Sequence, residues 1–334
     1  MKNSIKITFL LLLGISSLFS CKKGLVEKYE SFQPTPVTIN YPSIFPDMII
    51  PDDNRPTQEG IALGRALYYD KMLSKNQDKS CSSCHDQTKA FTTFESNSLA
   101  HINLAWNHQF LWNGGVQGTL EDVMMFEVED FFKMNIQLLN NSSVYKTLFK
   151  KAYGIDEITS KYVAYALAQF FRILNSTDSK YDRFIKGEVD LNAEEWDGYD
   201  IFFTERGDCF HCHGTVLFHD NLFSNNGLDL NPAEGFYAIT GNAKDYGKFK
   251  TPTLRNIELT APYMHDGRFE TLEEVIQFYS TGVKHDSPNL SPLMKYSSDG
   301  GVQLSQEEIQ HLIAFLKTLT DPVFTSNSAL SNPN

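Results

Sequence analysis

Cys81-Ser82-Ser83-Cys84-His85 and Cys209-Phe210-His211-Cys212-His213 are two copies of one pattern, C-x-x-C-H. Cysteines at this spacing add across the two vinyl groups of a haem, and the adjoining histidine reaches the iron from the same turn. Cys81 with Cys84 and Cys209 with Cys212 are therefore expected to hold two covalent c-type haems, with His85 and His213 as proximal iron ligands. A zinc site or a redox dithiol is the competing use of each C-x-x-C. The chain has five cysteines. The fifth, Cys21, lies outside both motifs, so no disulfide is expected.

Both motifs have similar surroundings. Before the first, Ile61, Leu63, Leu67 and Tyr68 suggest an amphipathic helix opened near Thr57. Before the second, Asn192 caps a helix that carries Tyr199, Ile201, Phe202 and Phe203. Further helices are expected over 161–175, 272–279 and 305–319, the last opened by a capping box, Ser305-Gln306-Glu307-Glu308. Strand signals are weak. The expected fold class is all-α, with two haem-binding domains in tandem. The polar, Gly-ended stretch 179–187 suggests a boundary near residue 188, giving domains over 52–188 and 189–322 and a tail over 323–334.

The N-terminus carries Lys2 and Lys6, an apolar run over 7–18, and then Leu18-Phe19-Ser20-Cys21. That is the form of a signal peptide over 1–20 followed by a lipid-modified cysteine. A retained transmembrane helix is the alternative, but the run is shorter than the about 20 residues that a span needs. The segment 21–51, with five prolines from Pro34 to Pro51, is expected to be an extended tether. These features imply a periplasm-facing protein anchored to the membrane through Cys21.

The 334 residues are 41% hydrophobic and 21% charged, a globular composition with room for two cores. The formal charge of -12 argues against nucleic acid, which is bound through clusters of Lys and Arg. An acidic surface suits either a basic redox partner or plain solubility.

The segment from Thr251 to Gly267, Thr-Pro-Thr-Leu-Arg-Asn-Ile-Glu-Leu-Thr-Ala-Pro-Tyr-Met-His-Asp-Gly, resembles a signature of the bacterial di-haem cytochrome c peroxidase and MauG family. Phe110-Leu111-Trp112-Asn113-Gly114 resembles a second family element. The likeness runs from about Pro56 to Leu319, and it implies two cytochrome-c-like domains with a tryptophan and a calcium ion between the haems. The tryptophan falls on Trp112, which is otherwise a core residue. The calcium ligands fall on the side chain of Asn97 and the carbonyls of Thr260 and Pro262. Where peroxidases of the family carry a methionine ligand to the second haem, this chain has Tyr279, as MauG-like members do. Met264 is the alternative ligand, with Tyr279 then a buried helix residue.

The chain departs from the family at the first, peroxide-reacting haem. The short span from His85 to Asn97 leaves little room for the histidine-bearing loop of some peroxidases, and His101 is either a distal group or a packed one. An ungapped register puts Lys133 where the family has its catalytic glutamate and Val123 where it has a glutamine. Either Glu121, Glu127 or Glu129 supplies the missing carboxylate, or fast peroxide turnover has been lost.

The resemblance thus implies an enzyme that reduces hydrogen peroxide with electrons from a small cytochrome or copper protein, and a homodimer. A MauG-like oxidase of a protein or small molecule, and a non-catalytic electron carrier, are the competing functions.

Overall fold

The computed structural model describes residues 32–93 and 97–333. The expected signal peptide and the Cys21 anchor lie outside the described residues.

Helices dominate. In chain order they are α1 (Gln58–Tyr69), α2 (Leu120–Phe126), α3 (Ile136–Asn141), α4 (Ser143–Tyr153), α5 (Ser160–Phe171) and α6 (Lys180–Ile185). Then follow α7 (Ala193–Phe203), α8 (Phe210–His213), α9 (Tyr237–Thr240), α10 (Leu272–Thr281), α11 (Gln306–Lys317) and α12 (Pro322–Ser326). Two short antiparallel ladders pair β1 (Gln109–Phe110) with β2 (Val116–Gln117) and β3 (Phe223–Ser224) with β4 (Phe249–Lys250). The all-α tandem arrangement expected from the two motifs is the one found.

The helices that deliver the chain to each motif begin where their caps require. The Thr57 hydroxyl accepts from Gly60 N at 3.0 Å to open α1. Asn192 and Glu195 form a capping box that opens α7. Each helix then crosses a later one, α1 on α5 and α7 on α11. Both crossings depend on a glycine. A Cβ on Gly64 would stand 1.9 Å from the Ala166 carbonyl oxygen, and one on Gly198 would stand 1.9 Å from that of His311. The two halves therefore repeat the same close approach of backbone to backbone.

The apolar residues fall mainly into two cores. The first runs from Phe45 to Leu174, and the second from Tyr181 to Leu319. The changeover comes ahead of residue 188, because the stretch 179–187 is not a polar linker. It contains α6, opened by a Ser179–Asp182 capping box, and Asp182 is buried. Its partner is remote in sequence: Arg255 Nη1 and Nη2 donate to Asp182 Oδ2 and Oδ1, both at 2.9 Å. Arg255 also donates to the Val216 and Ser176 carbonyls, so one guanidinium ties four backbone segments together.

Residues 32–51 also depart from expectation. Phe45 and Met48 are buried in the first core, and Tyr41 and Phe45 pack edge-on against Trp106. Trp106 Nε1 donates to the Pro46 carbonyl at 2.7 Å. The prolines here shape a strap across a core rather than a free spacer. The tail docks as well: Phe324 and Leu330 join the first core, and Arg65 and Tyr69 donate to the carbonyls of Ser331 and Leu330.

Two outcomes follow for stability, both measurable by denaturant unfolding of the haem-loaded protein. Gly64→Ala and Gly198→Ala should each cost about 3 kcal/mol, the upper end for overpacking, because backbone must move to admit the methyl group. At Asp182, burial works to raise the carboxyl's pKa, but Arg255 and Ser179 outweigh it and hold it below the ordinary value. That stability is present above the ordinary carboxylate range and is lost as pH falls below it, through the lowered pKa of the folded state. Arg255→Met should remove this acid limb and destabilise by about 3–5 kcal/mol, as for a buried pair that loses one partner.

Candidate haem and peroxide site

The two histidines that close the motifs are held alike. His85 Nδ1 lies 2.8 Å from the Phe91 carbonyl oxygen, and His213 Nδ1 lies 2.8 Å from that of Phe218. A carbonyl can only accept, so Nδ1 carries the proton in both and Nε2 is left with its lone pair for a metal. Burial lowers the pKa of both imidazoles, that of His85 to about 4, which keeps them neutral as ligands must be. Among the described residues no disulfide joins the four motif cysteines. Burial pushes Cys209 up to about 12 and Cys212 to about 11, and raises Cys81 as well. A redox dithiol needs a thiolate stabilised by its surroundings, and these surroundings disfavour one.

The second motif opens onto a large, mostly apolar cavity. Its walls include Cys209, Cys212, His213, Trp112, Met264 and Tyr279. Asn226 connects the two candidates for the opposite ligand: its Nδ2 donates to Tyr279 Oη at 2.9 Å and lies 3.7 Å from Met264 Sδ. Burial raises the Tyr279 phenol to about 12, and the hydrogen bond from Asn226 opposes that rise. A donor aimed at a phenol oxygen favours its ionised, metal-binding form. Asn226 has no motif to mark it in the sequence.

Sequence alone also misses Lys250. It sits on β4, is 4% exposed, lines the same cavity, and among the described residues donates from Nζ to the Thr251 carbonyl alone, at 3.4 Å. Burial lowers its pKa to about 8, against the pull of Asp220. A buried ammonium lining an apolar cavity fits a ligand that carries carboxylates, as haem does in its propionates. Its position directly before Thr251 of the family-like segment is the available signal.

Trp112 stands in the turn that follows β1. Its Nε1 donates to the Asn97 carbonyl at 3.1 Å, and its own carbonyl accepts from Lys250 N at 2.9 Å. Trp112 therefore touches both halves of the chain through named hydrogen bonds. Asn97 also donates from Nδ2 to the Met264 carbonyl at 2.9 Å. Thr260, Pro262 and Asn97 line the same cavity, so the three residues assigned to calcium by resemblance are brought to one region.

At the first motif the candidate acids separate clearly. Glu121 is buried and committed, taking Arg172 Nη2 at 2.8 Å and Asn54 Nδ2 at 2.5 Å. Glu129 and Lys133 are exposed, and Val123 is buried in the first core. The chain between them is a π-helical turn, Glu127–Phe131, of the kind that often marks functional sites. Glu127 is partly buried, and burial raises its carboxyl to about 7. It also lies near enough to Cys81 to raise that thiol. His101 takes the packed role: its ring stacks on His85 with centroids 3.4 Å apart, and Tyr68 Oη lies 3.1 Å from its Nδ1.

Comparison with known proteins gives the same answer as these sites. A family model described as di-haem cytochrome c peroxidase matches residues 58–190. The chain is 30% identical over 285 residues to the cytochrome c551 peroxidase of Nitrosomonas europaea, covering 77% of this chain and 79% of the relative. It is 32% identical over 291 residues to the methylamine utilization protein MauG of Methylorubrum extorquens, covering 80% of each. Among solved structures, a MauG-like protein associated with microbial copper homeostasis superposes with a TM-score of 0.80 at 32% identity, covering 89% of this chain and 99% of that one. With two C-x-x-C-H motifs, two matching histidine anchors and relatives of this extent, the chain belongs to the di-haem cytochrome c peroxidase and MauG family.

Proposed function

We propose that this chain reduces hydrogen peroxide to water with electrons from a small redox protein, a cytochrome or a copper protein. The balance is one peroxide, two electrons and two protons giving two waters. Haem supplies the electron transfer and the cleavage of the oxygen–oxygen bond when it is bound. Cys81 and Cys84 attach one haem and Cys209 and Cys212 the other, with His85 and His213 as the proximal ligands.

The observation that carries the reading is Glu127. Cleaving peroxide requires a proton to move from the near oxygen to the far one, and a carboxyl near pKa 7 exchanges protons readily at neutral pH. Glu121 cannot take that role while it neutralises the buried Arg172, and Glu129 and Lys133 are solvated. Trp112 is assigned to electron passage between the halves. Asn97 with the Thr260 and Pro262 carbonyls is assigned to a calcium ion, whose preference is for oxygen donors. On this reading the chain forms two tandem haem domains, the first opening near residue 52, the second closing near 322, with the division ahead of residue 188. It is exported, anchored through lipid on Cys21, and works as a periplasm-facing homodimer.

Tyr279 favours a second reading, a MauG-like oxidase that spends peroxide's two oxidising equivalents on a protein or small-molecule substrate. The specific support is the Asn226 hydrogen bond to Tyr279 Oη, which favours the phenolate as a ligand.

Stopped-flow absorbance of the haem-loaded protein mixed with peroxide, followed by reduced cytochrome c, separates these readings. A fast spectral change that decays with donor oxidation is expected. A fast change without donor turnover would favour the oxidase, and no change in either the diferric or the half-reduced protein would overturn both. The carboxylate form of Glu127 accepts the proton, so kcat/KM for peroxide should rise as pH climbs through about 7. Glu127→Gln should abolish that limb and slow the reaction by about 100-fold or more, the usual scale for losing a general acid–base.

Charge at the second haem provides a further check, read by spectroelectrochemical titration. Lys250→Met should lower the second haem's midpoint potential, on the order of 50 mV for one poorly screened charge, while Lys250→Arg leaves it near the original value. An unchanged potential in Lys250→Met would place the ammonium away from the haem.

A further inference from the structure

A cluster that the haem chemistry does not use stands at the edge of the second motif's cavity, with Asp208 and His211 among the cavity's walls and Glu205 exposed. It consists of Glu205, Asp208 and His211, the last being a spacer residue between Cys209 and Cys212. His211 Nε2 lies 3.0 Å from Asp208 Oδ1 and 3.4 Å from Glu205 Oε1, and the three candidate ligand atoms all fall within 4.8 Å of one another. Ligands placed tetrahedrally about 2.1 Å from a single ion stand about 3.4 Å apart, so the two measured separations suit a shared metal.

Acidic clusters are common, and a second observation sets this one apart. The Asp208 side chain is only 8% exposed, yet its buried Oδ1 has no hydrogen-bond donor. That oxygen is aimed at His211 Nε2. The nearby cation does not resolve the arrangement. Lys295 Nζ lies 2.7 Å from Glu205 Oε2 and 2.8 Å from His211 Nε2, but 4.0 Å from Asp208 Oδ1.

The conflict is one of lone pairs. If Lys295 donates to Nε2, that nitrogen carries no proton, and Asp208 Oδ1 faces a lone pair at 3.0 Å. If Nε2 carries the proton instead, two donors meet at 2.8 Å. Either tautomer of a neutral imidazole leaves one contact wrong. A cation that accepts electron density from all three atoms removes the conflict at once.

We propose that Glu205, Asp208 and His211 bind a divalent transition-metal ion at the surface beside the second haem, with Lys295 as its competitor. One imidazole and two carboxylates match the borderline ions that accept both nitrogen and oxygen, with Zn²⁺ as the simplest representative. Lys295 holds the acidic groups together without metal and must swing out on a flexible stem when the ion enters. The proposal does not depend on which reaction the haems perform.

The test uses the haem-loaded protein, in which the motif cysteines are committed to thioethers and cannot capture zinc. After chelator treatment, Zn²⁺ binding is followed by isothermal titration calorimetry, and zinc-edge X-ray absorption identifies the ligands. One ion per chain, bound through one imidazole and oxygen donors, is expected. Asp208→Asn should weaken binding at least about tenfold, since even the loss of an outer-shell partner commonly costs that much. Lys295→Met should tighten it, because a like charge leaves the site. His211→Gln should weaken binding as strongly as Asp208→Asn; it alters a haem-attachment motif, so the other two variants carry the test if its haem content falls. Binding that is unchanged in Asp208→Asn would overturn the proposal and mark a lone surface histidine. Affinity in Lys295→Met no higher than in the original protein would overturn it too, by showing that the ammonium never occupied the ion's place.

Discussion

The rest of the fold depends on the bidentate contact between Arg255 and Asp182. Arg255 belongs to the loop that follows β4, and Asp182 to α6, and neither has water to fall back on. Around them, Asn256 takes the Asp321 amide on its Oδ1 and donates to Ser176 Oγ, while Asp321 Oδ2 collects the amides of Thr177 and Asp178. The chain leaving the first core, the loop carrying the family-like segment and the start of the C-terminal segment are thereby fixed to one another. A buried ion pair is rarely a net source of stability, because desolvation offsets its attraction. What it does here is tie α6 to the Arg255 loop, since moving α6 away would part a buried guanidinium from its buried carboxylate.

That placement has consequences for chemistry. β4 continues directly into the Arg255 loop, and β4 carries Lys250 into the cavity of the second motif while its backbone holds Trp112. The loop beyond supplies Met264, whose carbonyl takes the Asn97 amide. One buried salt bridge thus anchors the segment that presents a cation, an aromatic residue and a candidate axial ligand to the same cavity. The first motif relies on different support. There Glu127 closes the regular register of α2, its N–H still reaching the Val123 carbonyl, the π-helical turn begins at it, and burial tunes its carboxyl.

Much of this is legible in the sequence wherever local chemistry decides the outcome. The helices before both motifs begin at Thr57 and Asn192 because short polar side chains cap them, and caps are visible without knowing the fold. Haem attachment is legible because the porphyrin imposes its own spacing. The stretch 179–187 reads as a polar junction since Asp182 looks solvated until Arg255, distant in sequence, folds back on it. The prolines of 32–51 suggest a spacer, and only the packing of Phe45 on Trp106 shows a strap. Glu121, Glu127 and Glu129 cannot be told apart in sequence because the π turn that begins at Glu127 carries the residues after it off the helical period, and composition does not announce that shift. Lys250 and Asn226 are single residues whose importance appears only when a cavity wall is assembled.

The docking of the C-terminal segment on the first core also bears on how the protein is made. Gln87, two residues past His85, donates to the Asn327 carbonyl, and Ser331 Oγ donates back to Gln87. The surroundings of the first haem motif are thus closed by residues translated 240 positions and more after it. During synthesis the second half can gather its core from its own neighbours, whereas the first gains its last core residues, Phe324 and Leu330, only from chain made after that second core. The first core is thus closed by the last chain to be made, and a truncation or fusion placed just after the second core acts first on the haem site nearest the N-terminus.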